Sequence, residues 1–172
     1  MAQLGAKNAT TTTSTVADFS VSATALDYEG TTWEFNDATK NLGYYFNIPE
    51  LKGAIDALAT WTVGKGWETE SDNARRSLEL IEGWGEDSFQ SIVWNMIVMK
   101  KIVGDSFAEI IRNEGELINI KPISPERVRI NLDGKGIIKD YDVRKKDGKY
   151  TNVAKENMLH QCNERIGVTC SP

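Results

Sequence analysis

The chain changes its apolar period at Gly104, and that single change constrains its fold more than any other feature. Before it, Phe89, Ile92, Val93, Met96 and Ile97 recur three and four residues apart, the spacing of a helical face. After it, short apolar runs such as Phe107–Arg112 and Val128–Leu132 are separated by Gly-containing turns, the signature of strands and hairpins. Helices segregated from strands along the chain define the α+β class. The expectation is three helices followed by a mainly antiparallel sheet of short strands.

Local signals set the element boundaries. Thr31–Phe35 alternates enough for a short strand. Asn47 or Ile48 can cap a first helix, with Pro49 suited to its first turn. Leu51, Ala54, Ile55, Leu58 and Trp61 then follow helical spacing, which predicts one buried face. Gly64-Lys65-Gly66 stops that helix. Asp72 or Asn73 can cap a second helix carrying Leu78, Ile81 and Trp84, ended by Gly83 and Gly85. Asp87 or Ser88 caps the third, whose apolar residues spread widely enough that it should be covered on most sides. Gly104 is its C-cap.

Beyond Gly104, Asn113-Glu114-Gly115-Glu116 is a tight turn joining Phe107–Arg112 to Leu117–Ile123. Ser124-Pro125-Glu126-Arg127 makes a corner of about one helical turn before Val128–Leu132. Asp133-Gly134-Lys135-Gly136 and Asp147-Gly148-Lys149 are further hairpin turns, and Tyr150–Val153 and Met158–Gln161 are the last extended pieces.

The termini read differently. Thr10 to Thr15 is low-complexity, so residues 1–25 are expected to be a flexible Thr-rich arm; the alternative is an arm that folds against a neighbouring subunit. The domain proper is placed at residues 26–167, with a tail at 168–172. At 172 residues, 40% hydrophobic and 26% charged, the composition is that of an ordinary soluble domain. The most apolar segment, Ile92 to Met99, falls short of the roughly 20 residues of a spanning helix, and no membrane partner is expected. A net charge of −5 argues against a protein that coats DNA through a basic face.

Candidate chemistry is sparse. His160 is the only histidine, so any Cys–His or Ser–His pair must include it. Cys162, two residues on, shares its strand face, but no carboxylate partner or oxyanion loop is evident nearby. A structural histidine is the stronger expectation. Cys162 and Cys170 with one histidine make a poor zinc site, and both are expected to stay reduced. Asp140 and Asp142 share a strand side and could hold a hard cation with Asp133, although a solvated sheet face accounts for them better. Gly64-Lys65-Gly66 lacks the spacing of a phosphate loop. Arg75-Arg76, Lys100-Lys101 and Arg144-Lys145-Lys146 are scattered clusters. Trp61, Trp84 and Trp94 are expected in the core, whereas Trp33 and Trp67 could anchor a partner. No catalytic, cofactor or metal residue is assigned, and DNA- and subunit-contacting residues stay unassigned.

The ordered set from Tyr45 to Gly167 resembles the tailed-bacteriophage portal protein. It comprises Val63-Gly64-Lys65-Gly66-Trp67 after an amphipathic helix and the Gly104-Asp105-Ser106 break into Phe107–Asn113. A P-x-R-V corner at Pro125-Glu126-Arg127-Val128 and the Met158-Leu159-His160 step complete it. The resemblance implies a viral structural protein, not an enzyme. The family forms a ring, usually of twelve subunits, at one capsid vertex of the virion, and is made in the bacterial host cytoplasm. Its implied partners are other portal subunits, capsid protein, the terminase motor and a head–tail adaptor, with double-stranded DNA passing only through the assembled channel and no cofactor. This chain would correspond to a wing portion, short of the stem and clip, so that the terminase and adaptor docking surfaces would be absent. Apolar faces around Phe89, Trp94 and Met99 would then lack cover and favour self-association. Two other classes compete: a small non-catalytic binding or adaptor domain, and an enzyme using Cys162 and His160.

Overall fold

The computed structural model describes residues 32–163; the expected arm at 1–25, the tail at 168–172 and Cys170 lie outside them. The α+β class with antiparallel strands is what the structure shows. A short strand β1 (Thr32–Glu34) leads into helices α1 (Ala38–Asn47), α2 (Pro49–Val63), α3 (Asp72–Glu79) and α4 (Phe89–Val103). Six strands follow: β2 (Asp105–Asn113), β3 (Glu116–Ile123), β4 (Val128–Leu132), β5 (Ile138–Arg144), β6 (Tyr150–Ala154) and β7 (Met158–Cys162). Single 3-10 turns at Pro125–Arg127 and Lys155–Asn157 make the corners before β4 and β7.

The expected single sheet is two. One has the order β1-β4-β5-β6 and the other β3-β2-β7. The break falls at the Pro125–Arg127 turn, where the chain steps from one sheet to the other. A second difference is the added helix α1, whose Gly43 and aromatic Tyr44-Tyr45-Phe46 hide it from sequence patterning.

Capping residues fix the ends. Ser88 accepts from the Ser91 amide while Ser91 Oγ accepts from the Ser88 amide, a reciprocal box that starts α4. Gly104 ends α4 at φ 103°, a conformation costly to any other residue. α3 is capped by Ser71, one residue before the expected Asp72, and ends at Glu79, so Ile81 and Trp84 belong to the following loop. That loop is tied to β3 by a two-way clamp: Gly83 N donates to Asn119 Oδ1 and Asn119 Nδ2 donates to Gly83 O, both 2.9 Å. A Cβ at Gly83 would stand 2.4 Å from Asp87 Oδ2, so the loop requires glycine there.

Three apolar clusters show how the layers stack. Between the two sheets, Phe107, Ile123, Val128, Ile130, Tyr141 and Met158 are buried. On the other face of the three-stranded sheet, Ala108 and Ile120 pack with Ile92, Met96 and Ile81. α1, α2 and α4 meet at Tyr45, Ala59 and Val98. The three-stranded sheet is therefore covered on both faces, which is why Ser106, Phe107 and Ala108 are buried in succession instead of alternating. α4 is sandwiched in turn between that sheet and α1–α2, so its broad apolar spread has two partners, as expected. Phe89, Trp94 and Met99 are consequently half-buried within the chain, and the expected apolar exposure around them is not found.

Candidate functional site

His160, the one candidate catalytic histidine, is held by Asp105, Phe107 and Tyr141. β7 runs antiparallel to β2, setting His160 opposite Phe107 and Cys162 opposite Asp105. The imidazole stacks on Phe107 with centroids 4.5 Å apart. Its Nε2 lies 3.2 Å from Asp105 Oδ1, and its Nδ1 lies 3.2 Å from the hydroxyl of Tyr141 on the facing sheet. Only 8% of the histidine side chain is exposed. A carboxylate can only accept, so the tautomer that fits these contacts when the ring is neutral carries its proton on Nε2 and accepts from the Tyr141 hydroxyl at Nδ1. Sequence offered no carboxylate for this histidine; Asp105 is 55 residues away and reaches it through strand pairing alone.

This arrangement ties the two sheets together. Cys162 is half-buried and borders, with His160, Leu58, Ile97 and Lys100, a groove of about 660 Å³. Both ring nitrogens are engaged elsewhere, by Asp105 and Tyr141, so His160 has none turned to the thiol as a base.

The acidic residues are satisfied by neighbours. Asp140 accepts from Asn131 Nδ2 at 2.7 Å and Asn152 Nδ2 at 2.9 Å, and Asp142 accepts from Asn152 at 3.0 Å. The Asn131 bond holds the Asp140 carboxyl below its ordinary value, against the opposing effect of burial. Asp133 is lowered too, by the backbone amides of Ile137 and Lys135 that it accepts across its own turn. Among the described residues, no group of three or more His, Cys, Asp or Glu side chains is placed to hold a metal ion. Gly64-Lys65-Gly66 is the end of α2, with Gly66 at φ 83°. No helix among the described residues is long and apolar enough to cross a membrane.

The unexpected feature is on the surface. α2 carries two apolar stripes. Ile55, Ala59 and Val63 face α1 and α4. The stripe at Leu51, Ala54, Leu58 and Trp61, which sequence predicts as buried, points outward; Trp61 is 86% exposed. Tyr44, Phe46 and Ile48 from the end of α1 extend the same apolar character. A single exposed aromatic is ordinary, but a helix apolar on two faces implies two partners. Trp84 is likewise outside the core, at 64% exposure, its Nε1 donating to Pro122 O at 3.0 Å. Trp94 is half-buried between α4 and α2, while Trp67, expected at a partner surface, packs edge-on against Phe89 at 5.6 Å. Trp33 pairs through its backbone with Ile130.

No protein-family model and no curated protein matches the chain. Solved structures share its fold. A chain of the virion of the native gene transfer agent (GTA) particle superposes with a TM-score of 0.65 at 11% identity, covering 78% of this chain and 37% of that one. A chain of the neck of the native GTA particle, obtained with C12 symmetry, gives 0.67 at 12% identity over 81% and 39%. A chain of the neck of the empty particle, obtained with C6 symmetry, gives 0.66 at 12% identity over 80% and 40%. The chain thus spans about two-fifths of the length of the structures it matches.

Proposed function

We propose that this chain is a structural subunit of the neck of a phage-like particle, and within that neck the wing portion of a portal ring. The observation that carries it is the fold shared with GTA virion and neck chains over about four-fifths of the chain. The order of sequence motifs supports the finer assignment. The Gly104-Asp105-Ser106 break lies at the junction of α4 and β2, the Pro125–Val128 corner forms the step between the sheets, and Leu159-His160 lies in β7.

The chain's part in such a ring is mechanical and not enzymatic. A ring subunit must keep its shape while neighbours and DNA load it. Two sheets joined through Phe107, His160 and Tyr141, and a helix α4 packed on both sides, supply that stiffness. The outward stripe of α2 supplies apolar area for assembly. The three other partners implied by the portal resemblance are capsid protein, terminase and a head–tail adaptor. They belong to the complete ring, and double-stranded DNA meets the chain only there. A net charge of −5 fits a wall that lets DNA slide without gripping it.

Light scattering on the full chain tests this reading. The wild type should self-associate with rising concentration, and Trp61→Asp with Leu58→Asp should shift it towards monomer while the melting temperature holds. Trp61 is 86% and Leu58 40% exposed, and neither belongs to a buried cluster of the described residues. A wild type that is monomeric at every concentration contradicts the proposal.

A further inference from the structure

We propose that the acidic tip of the β2–β3 hairpin docks into a cationic cleft on the next copy of this chain, a head-to-tail contact that rests on the ring reading above. The cleft, of about 150 Å³, lies where the Trp84 loop, β3 and the β5–β6 hairpin meet. Lys121, Arg127 and Lys145 line it, against the single carboxylate of Glu109. Its apolar floor includes the buried Ile123 and Val143. Lys121 stands opposite Glu109 across the β2–β3 ladder but forms no ion pair with it; its ammonium lies 5.4 Å from the centre of the Trp84 ring instead. Arg127 donates to Arg144 O at 2.9 and 2.6 Å, a carbonyl that leaves the guanidinium charge unneutralised. Such a cleft selects one carboxylate-bearing side chain with apolar company, a better match to a peptide tip than to a phosphate backbone.

The chain itself carries that occupant. Residues 113–116 are all exposed, and Glu114 and Glu116 outnumber the nearby cation, Arg112. Ile118, 48% exposed, follows them. Glu114 also sits at φ 51°, the one non-glycine with positive φ among the described residues. With Gly115 at φ 89° it makes a two-residue turn whose first position favours Asn, Asp or Gly. A glutamate held there against its backbone preference points to a task for its carboxylate. From Glu116 to Lys121 the strand rises about 17 Å, so the tip cannot turn back into its own cleft, whereas a neighbour's tip can enter it. A head-to-tail contact of this type closes into a ring when its rotation permits.

Charge exchange tests the contact. Glu114→Lys with Glu116→Lys should weaken self-association of the full chain about tenfold, and so should Lys121→Glu with Lys145→Glu. An equimolar mixture of the two variants should associate again, since each then supplies the complement the other lacks. Glu114→Asn should raise the melting temperature, because Asn suits the turn, while still weakening association. Association unchanged in both charge variants overturns the docking and leaves the ring reading standing. A wild type that never associates removes both.

Discussion

His160 shows how one residue can serve two sheets. It belongs to β7, stacks on Phe107 of β2, and reaches Tyr141 of β5 and Asp105 at the start of β2. Truncation removes the imidazole contacts to the Tyr141 hydroxyl and the Asp105 carboxylate and opens a void beside Phe107. His160→Ala should therefore cost about 2–3 kcal/mol in urea unfolding. Asp105→Asn keeps an acceptor oxygen and should cost under about 1 kcal/mol. A loss below about 0.5 kcal/mol for His160→Ala would mean that the bridge contributes little. Surface carboxylates set the acid limb. Asp56 is lowered chiefly by its bond to Lys52, Asp133 by backbone amides and Asp140 by Asn131. A group whose folded pKa lies below its unfolded value adds stability above the unfolded value and loses it as pH falls through the folded one. The urea midpoint should thus hold from neutrality to about pH 4 and decline below it. A midpoint that rises on acidification from pH 4 would contradict this assignment.

At the scale of elements, boundaries were legible wherever a local rule decides them. Pro49, Ser88, Gly104, the Glu114-Gly115 turn and the Pro125 corner all act within a few residues. α1 was not legible, because Gly43 and three consecutive aromatics blur its period; its buried positions are only Ala38 and Tyr45. The division into two sheets was also hidden, since strand pairing joins residues far apart in sequence. β1 illustrates this best: its three residues pair with β4, 95 to 99 positions away by residue number, at Thr32–Asn131, Trp33–Ile130 and Glu34–Arg129. The stripe of α2 was found by periodicity but assigned to the wrong side. Helical spacing shows that a face is apolar and says nothing of whether its partner lies within the same chain. Trp61 was misplaced for this reason, and Trp84 because α3 ends at Glu79 and leaves it in the following loop. The same two-sidedness gives α2 its function in the account, with Ile55, Ala59 and Val63 holding the fold and Leu51, Leu58 and Trp61 left for assembly.

At the scale of the molecule, the α+β class was legible from the single change of period at Gly104, and the neighbours in structure are virion and neck chains of a gene transfer agent. The candidate interaction surface was less legible, because it depends on what the fold leaves uncovered. No described cluster gathers the groups that catalysis by Cys162 would need: His160 is held by Asp105 and Tyr141. What the fold provides is a stiff body with an apolar helix face and a charged hairpin tip facing away from its own cationic cleft. These are the features that the proposed ring assembly uses. Electron microscopy of the purified full chain at high concentration examines this most directly. Closed rings with one rotational symmetry are expected, dispersed by the Trp61→Asp and Leu58→Asp changes. A uniform field of monomers, or association into irregular aggregates that these substitutions leave untouched, would contradict it.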